Sequence, residues 1–247
     1  MDKWYEVPGK AGTNVIYSRV RLVRNLKEYP FPGRLTKEQS AELSEKLLGG
    51  LTGIASMDRM QYRFTHLERM GDLEKTALLE RRAINRSVIK KKDPTGMILS
   101  EDESTAILLN GDDHVRIQTL QTGLTLEQLY ERADKIDDYI SERFDYAFDE
   151  KYGYLTSFPT NVGTGLRAAV VLHLPMLSKN KNFNSLVADM GRFGTQVRGV
   201  YGEGAENFGS LYQISNQKTL GQTEREIIDI VRKAALELDV QERRVRR

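Results

Sequence analysis

The fold is decided by three short runs, Met97-Ile98-Leu99, Ser104-Thr105-Ala106-Ile107-Leu108-Leu109 and His114-Val115-Arg116-Ile117-Gln118-Thr119-Leu120. The polar turns Glu101-Asp102-Glu103 and Asn110-Gly111-Asp112-Asp113 separate them. Short apolar runs divided by turn signals are typical of strands that pair with their neighbours in sequence. The stretch therefore predicts an antiparallel meander.

A long amphipathic helix is predicted to follow the meander. Thr125 and Gln128 have the spacing of a capping box. Apolar residues then recur at three- and four-residue intervals, so one stripe of a helix of about twenty residues can pack onto the sheet. That stripe contains Leu126, Leu129, Ala133, Ile136, Ile140 and Phe144. Similar boxes predict a helix between Thr36 and Gly49-Gly50 and another after Thr223.

The rest of the chain continues this alternation. Residues 72–84 favour a helix, and residues 195–200 pair in a second predicted hairpin with residues 210–214. Hairpins interleaved with long helices indicate an α+β fold in which helices flank an antiparallel sheet. We expect one domain over residues 1–247, with a short lead-in at 1–17 and a basic tail at 240–247.

Composition limits the classes of function. The chain has 37 basic and 35 acidic residues, so no overall field attracts nucleic acid. It has no cysteine and three histidines, which argues against disulfides, thiolate metal sites, cysteine nucleophiles and a histidine metal cluster. No apolar run is long enough to span a membrane, and the N-terminus lacks an apolar signal core. We therefore expect a soluble protein, compatible with a reducing cytoplasm.

The Gly-rich loop Thr156-Ser157-Phe158-Pro159-Thr160-Asn161-Val162-Gly163-Thr164-Gly165-Leu166-Arg167 permits two interpretations. It is either a structural turn or an anion site, in which backbone amides, the start of a following helix and Arg167 would bind phosphate. Residues 166–172 are apolar nearly all round, so we expect that segment to be buried. Gly163, Gly165 and Ala168, with Asp189 further on, also fit a dinucleotide fingerprint, although residues 185–191 favour a helix rather than the required strand.

Arg19 and Arg21 share one face of a predicted strand in Ser18-Arg19-Val20-Arg21-Leu22-Val23-Arg24-Asn25, whereas Val20 and Leu22 share the other. Two neighbouring cations repel each other, and solvent must screen this repulsion or a carboxylate or anionic ligand must offset it. The pair therefore fits either an exposed strand face with local carboxylate partners or an anion site.

Further arginines and carboxylates lie near turns. Arg116, Arg167 and Arg198 join Arg19 and Arg21 as candidates for a triphosphate site, because guanidinium donors match phosphate oxygens. Asp112, Asp113 and Glu203 could bind magnesium, act as a general base or hold a cationic acceptor. Asn-Gly followed by aspartates is equally an ordinary hairpin turn, and Glu203 an exposed loop acid.

Four ordered blocks at these residues resemble the signature of the phosphagen (guanidino) kinases, and the resemblance covers roughly residues 15–235. Among them, the chain is most similar to the bacterial protein-arginine kinases, since only seventeen residues precede the first block, whereas creatine and arginine kinases carry a helical domain there. An uncovered site suits a side chain on a protein. The blocks are residues 18–25, 110–117, 155–168 and 198–216.

The resemblance implies a glutamine-synthetase-like sheet flanked by helices and a role for each matching residue. The ATP phosphates would be bound by Arg19, Arg21, Arg116, Arg167 and Arg198. Glu203 would hold the acceptor guanidinium, Asp112 would be the second catalytic carboxylate, and Asn161 and Phe158 would contact the substrate. Magnesium would be carried by ATP, with no metal ligands from the protein.

The activity implied is transfer of the γ-phosphoryl group of Mg-ATP to arginine side chains of cytoplasmic proteins during a stress response. An activator protein and a protein-quality-control protease are implied partners.

Three departures keep alternatives open. Gly111 and Asp112 replace the family's Glu-Glu pair, Phe158 replaces its cysteine, and relatives continue into a C-terminal domain beyond the position matching Arg247. An aspartate is about 1.5 Å shorter than a glutamate, and a misplacement of about 1 Å can cost roughly a hundredfold in rate. A weak or inactive relative that binds nucleotide or phosphoarginine, or a kinase of small guanidines, is therefore an alternative.

Overall fold

A computed structural model describes residues 1–58, 60–200 and 208–246, apart from the side chain of Phe208. The strands are β1 (Val15–Arg24), β2 (Tyr62–His66), β3 (Gly96–Ser100), β4 (Thr105–Leu109), β5 (Val115–Thr122), β6 (Phe148–Asp149), β7 (Gly153–Tyr154), β8 (Leu166–His173), β9 (Thr195–Gly199) and β10 (Leu211–Asn216). Eight of them form one sheet in the order β2-β3-β4-β5-β1-β8-β10-β9, and β6 and β7 form a separate ribbon. The helices are α1 (Lys37–Gly50), α2 (Ala55–Asp58), α3 (Asp72–Glu80), α4 (Arg86–Ile89), α5 (Leu126–Ser141), α6 (Phe183–Arg192) and α7 (Glu224–Val245).

All pairings in the large sheet are antiparallel. The predicted meander is confirmed as β3, β4 and β5, and the second hairpin as β9 and β10. The α+β class is confirmed. Among the described residues, no helix is long and apolar enough to cross a membrane.

Two local predictions are wrong. The helix that the anion-site interpretation required after the Gly-rich loop is absent, because residues 166–172 form strand β8. The segment is buried, as predicted, and an apolar run buried on both faces carries no period that separates a strand from a helix. The predicted capping box at Thr125 is not made, since its side chain caps nothing and its backbone N–H donates to Ser18 Oγ at 3.1 Å. The boxes at Thr36 and Thr223 are present.

The two faces of the sheet differ. On one face, α1, α5 and α7 pack over the buried side chains of Val20, Leu22 and Ile117 and form the main core. On the other face, a smaller apolar cluster, joined by Leu78 and Val88 from α3 and α4, covers the β3–β4 end. The rest of that second face, across β5, β1, β8, β10 and β9, is mainly polar, although the buried apolar residues Val23, Ala169 and Val171 also belong to it. The functional candidates lie there.

Residues 240–245, expected as part of a basic tail, continue α7. Glu242 in this turn is fully buried, and its carboxylate accepts hydrogen bonds from the backbone N–H groups of Met176 (3.0 Å) and Leu177 (2.7 Å). The end of α7 is thereby fixed to the segment after β8.

A buried ion pair joins the end of β1 to α5. Arg24 donates from Nη2 to Asp137 Oδ2 at 2.6 Å and from Nη1 to the carbonyl oxygen of Thr164 at 2.9 Å. The ring of Tyr154 lies 3.5 Å from the guanidinium carbon, and Tyr146 donates to the other carboxylate oxygen at 2.9 Å. Arg24 therefore ties the Gly-rich loop to β1 and α5.

We predict that Asp137→Ala destabilises the fold by about 3–5 kcal/mol, because it leaves the Arg24 charge buried and unpaired. Urea denaturation measures the change. The exposed neighbour provides a matched control, and Asp138→Ala should change the free energy of unfolding by less than about 0.5 kcal/mol. Equal effects of the two substitutions would contradict this account of the ion pair.

Candidate active site

The register of the paired strands places several arginines on the second face of the sheet, the one not covered by α1, α5 and α7. Arg21 lies directly opposite Arg167 on β8 and opposite Gln118 on β5. Two residues further along β1, Val23 lies opposite Arg116 on β5. Arg198 on β9 lies opposite Gln213 on β10. Because side chains alternate along each strand, all of these point to the same side. The predicted alternation of Arg19 and Arg21 with Val20 and Leu22 is confirmed.

A cavity of about 550 Å³ opens on this face and brings together seven of the nine residues to which the resemblance gives a role. Arg19 lies outside its lining but donates to the lining residue Gln213 at 2.7 Å. Glu203 lies outside the described residues. The lining consists of Arg21, Val23, Asn85, Asp112, Asp113, Arg116, Phe158, Thr160, Asn161, Arg167, Gln196, Arg198, Gln213, Ser215 and Gln217.

The arginine cluster lacks carboxylate partners at ion-pair distance among residues 1–58, 60–200 and 208–246. Burial, followed by repulsion from Arg19, Arg116 and Arg167, holds the pKa of Arg21 well below its usual value. Burial and Arg19 lower the pKa of Arg116 to about 10. The Nε atoms of Arg19, Arg21 and Arg116 are buried and have no partner in the described part of the chain. The cluster therefore has unused donors and excess positive charge, which an anion with several oxygens would satisfy.

Arg167 is held rigidly. Its guanidinium donates to Asn161 Oδ1 at 3.1 Å, to the carbonyl oxygen of Thr160 at 2.6 Å and to that of Asn216 at 2.7 Å. Burial and then Arg198 lower its pKa. Asn161, predicted as a substrate contact, therefore orients Arg167 and also lines the cavity.

The glycines of the loop are structural. A Cβ on Gly163, where φ is +109°, would collide with the backbone at Thr219, and one on Gly165 would lie 2.6 Å from the carbonyl oxygen of Val23. The backbone N–H groups of residues 161–164 and 166 all donate within the protein. Since no helix follows and these amides are occupied, the loop offers no backbone cradle for an anion, and the donors left for one are arginine side chains. The missing helix also removes the dinucleotide interpretation.

The turn between β4 and β5 places two aspartates differently. Asp113 is buried, and its Oδ1 accepts hydrogen bonds from Asn25 Nδ2 and the backbone N–H of Ser157, both at 2.7 Å. Asp112 is half-buried and lines the cavity, where Asn85 and Ser87 donate to its Oδ2 at 2.7 and 3.0 Å. Asp113 thus holds the turn in place, while Asp112 remains available to a ligand.

His114 anchors the same turn in one tautomer. The backbone N–H of Leu26 donates to Nδ1 at 2.9 Å, so the proton lies on Nε2, which is 3.0 Å from the carbonyl oxygen of Pro30. Burial lowers the pKa of His114 from 6.5 to about 4. The ring is therefore neutral in the folded protein near pH 7.

A family model described as ATP:guanido phosphotransferase, C-terminal catalytic domain, matches residues 45–245. The chain belongs to this family. Curated relatives named protein-arginine kinase agree: the one from Halothermothrix orenii is 38% identical over 246 residues, and the match covers all of this chain and 70% of the relative. Those from Desulforamulus reducens and Bacillus velezensis are 41% and 40% identical, with all of this chain covered and 69% and 68% of the relatives.

Solved structures give the same fold. A crystal structure of lombricine kinase superposes with a TM-score of 0.82 at 24% identity, covering 94% of this chain and 67% of the other. The duplicated taurocyamine kinase from Schistosoma mansoni, with bound transition state analog components, has a TM-score of 0.81 at 27% identity and matches 92% of this chain and 32% of its own. The guanidino-kinase catalytic fold is confirmed.

Two site features of this guanidino kinase were not apparent from the sequence. Asn85 lines the cavity although residues 51–92 give no clear periodic signal, and only its contact with Asp112 identifies it. Asp113 looked like an ordinary turn residue, and its long-range contact with Ser157 requires the fold. Phe158 lines the cavity with 51% of its surface exposed.

We predict that His114 makes the stability of the kinase fold fall as the pH decreases from about 6.5 to about 4, by roughly 3 kcal/mol in total. In this window the unfolded chain binds a proton that the folded protein excludes. Urea denaturation at several pH values measures the slope, with His114→Gln as the comparison. Equal slopes of stability against pH in wild type and in His114→Gln would contradict the prediction, because they would mean that His114 has the same pKa in the folded and unfolded states.

Proposed function

We propose that this chain is an ATP-dependent protein-arginine kinase. The observation that carries the proposal is the cavity in which buried, unpaired arginine donors stand beside the half-buried carboxylate of Asp112. One part of the cavity suits a polyphosphate, and the other suits a guanidinium. The curated relatives of that name support the assignment.

The arginine cluster binds the phosphates of ATP in this proposal. Arg21, Arg116, Arg167 and Arg198 line the cavity and contact phosphate oxygens, and Arg19 adds charge beside Gln213. Guanidinium groups fixed before the ligand arrives stabilise charge on the transferred phosphoryl group without reorganisation. The unused Nε donors and the lowered arginine pKa values both fit a polyanion.

Magnesium enters with the nucleotide. Among the described residues, no group of three acidic or histidine side chains is arranged to hold a metal ion, whereas phosphate oxygens and water are ligands that Mg²⁺ prefers. When bound, the ion neutralises charge on the β- and γ-phosphates. The protein contributes the arginines that orient those phosphates.

The acceptor is an arginine side chain held by Asp112 and Glu203. A guanidinium nitrogen attacks the γ-phosphorus in line, the bond to the bridging oxygen of ADP breaks, and a phosphorus–nitrogen bond forms. The nitrogen loses one proton, and Asp112 lies at the cavity wall to accept it. The products are ADP, phosphoarginine and a proton.

Phe158 provides an apolar surface at which the acceptor can be held. Its ring lies half-exposed at the cavity, where it can stack on the guanidinium or pack against a neighbouring side chain of the substrate. The family resemblance extends the proposal: residues 1–247 act as one catalytic domain in the cytoplasm, under stress, with an activator protein and a quality-control protease as partners.

We predict that the protein transfers labelled phosphate from Mg-ATP to an unfolded, arginine-rich protein and that the label is labile in acid. Free arginine and creatine are the comparison acceptors and should receive little label. Strong labelling of free arginine instead would indicate a small-molecule guanidine kinase. Intact ATP binding without label on any acceptor, also in an Asp112→Glu variant, would indicate a nucleotide-binding relative without kinase activity.

We predict that Asp112→Asn lowers kcat by roughly a hundredfold or more, because the substrate arginine loses the carboxylate that orients it and takes its proton. The dissociation constant for ATP should change by less than about twofold, since the arginines are untouched. Steady-state kinetics and calorimetry give the two values. The exposed Asp93→Asn serves as a control with normal kcat, and normal turnover by Asp112→Asn would remove Asp112 from the reaction.

A further inference from the structure

Asp112 is held by one of its two carboxylate oxygens. Asn85 Nδ2 and Ser87 Oγ both donate to Oδ2, at 2.7 and 3.0 Å, and Asn85 Nδ2 also lies 2.7 Å from Ser87 Oγ. No donor to Oδ1 is found among the described residues. The arrangement fixes the carboxylate while leaving one oxygen for a ligand.

The orientation of the Asn85 amide follows from these contacts. A flipped amide would place its oxygen against Asp112 Oδ2, where two acceptors repel each other. In the observed orientation, Asn85 Oδ1 is buried and has no partner among the described residues. A buried oxygen without a donor costs free energy, so the contact with Asp112 is kept at the expense of another.

The side chain of Asn85 does not cap its own helix. It occupies the N-cap position of α4 with extended backbone angles, and asparagine is among the preferred residues there. Its side chain nevertheless makes no capping hydrogen bond and reaches Asp112 instead. The flanking residues Ile84 and Val88 are buried and fix its place at the cavity wall.

The same segment also holds the backbone of the acidic turn. Lys91 Nζ donates to the carbonyl oxygens of Asn110 (2.6 Å) and Gly111 (2.8 Å). Residues 84–91 therefore hold the turn at its backbone through Lys91 and at its catalytic side chain through Asn85 and Ser87.

We propose that Asn85 and Ser87 are positioning residues that orient Asp112 Oδ1 toward the acceptor guanidinium. The inference rests on the proposed kinase function and adds two residues to it. Both residues act on the reaction through their hydrogen bonds to Asp112. Their effect therefore lies on the rate of the chemical step and leaves nucleotide binding unchanged.

Kinetics of variants test the inference. Asn85→Ala should lower kcat about tenfold or more, with the dissociation constant for ATP and the KM for the acceptor protein within about twofold of wild type. Ser87→Ala should lower kcat less, and Ser87→Thr, which keeps the hydroxyl, should restore it. Arg86→Ala, at the exposed position between them, is the matched control and should leave kcat unchanged.

A double-mutant cycle separates this inference from the kinase assignment. In the Asp112→Asn background, Asn85→Ala should cause no further loss of kcat, because both changes act through one carboxylate. The urea midpoints of the same four proteins should also be non-additive, and that measurement needs no activity. An active wild type with normal kcat in Asn85→Ala overturns the inference alone. If wild type is inactive but the urea midpoints are non-additive, the kinase assignment is overturned and the hydrogen bond between Asn85 and Asp112 is upheld. Additive urea midpoints would show that Asn85 and Asp112 do not interact and would overturn the inference.

Discussion

Repulsion among arginines on one face of the sheet is the constraint on which the site depends. Arg21 and Arg167 are directly opposite on neighbouring strands, a placement that destabilises a sheet when the charges are alike. Repulsion and burial both lower the pKa of Arg21. The fold tolerates this because the same strands bury Val20 and Leu22 on the opposite face under α5 and α7. The apolar face thus offsets a cationic face that has no carboxylate partner at ion-pair distance among the described residues.

The acidic turn between β4 and β5 is positioned differently from the arginines. The arginines belong to paired strands, whose register fixes their positions, whereas Asp112 belongs to a turn that needs separate supports. Asp113 and His114 anchor that turn to the chain after β1, and the segment with Asn85 and Lys91 holds it from the other side. In the part of the chain that the structure describes, opposite charges therefore meet at one cavity without an ion pair between them.

Most of the framework could be predicted from the sequence because it depends on local patterns. The period of two around Arg19 and Arg21 and the long stripe of α5 each encode one buried face. The segment 166–172 could not be assigned in this way, since β8 is apolar on both sides and its length fits either structure. The contacts of Asn85 with Asp112 and of Asp113 with Ser157 join distant segments, so no local pattern reveals them. The glycines of the loop attracted a ligand interpretation, but their contacts show that they serve packing.

The stability of an Arg21→Met variant with and without Mg-ATP tests the central claim most directly. Methionine keeps an apolar stem but removes the charge. If the cluster is destabilised by repulsion and neutralised by ATP, the ligand-free variant should be more stable than wild type toward urea, and ATP should stabilise it much less than it stabilises wild type. A ligand-free variant that is less stable than wild type and gains as much stability from ATP would contradict the account.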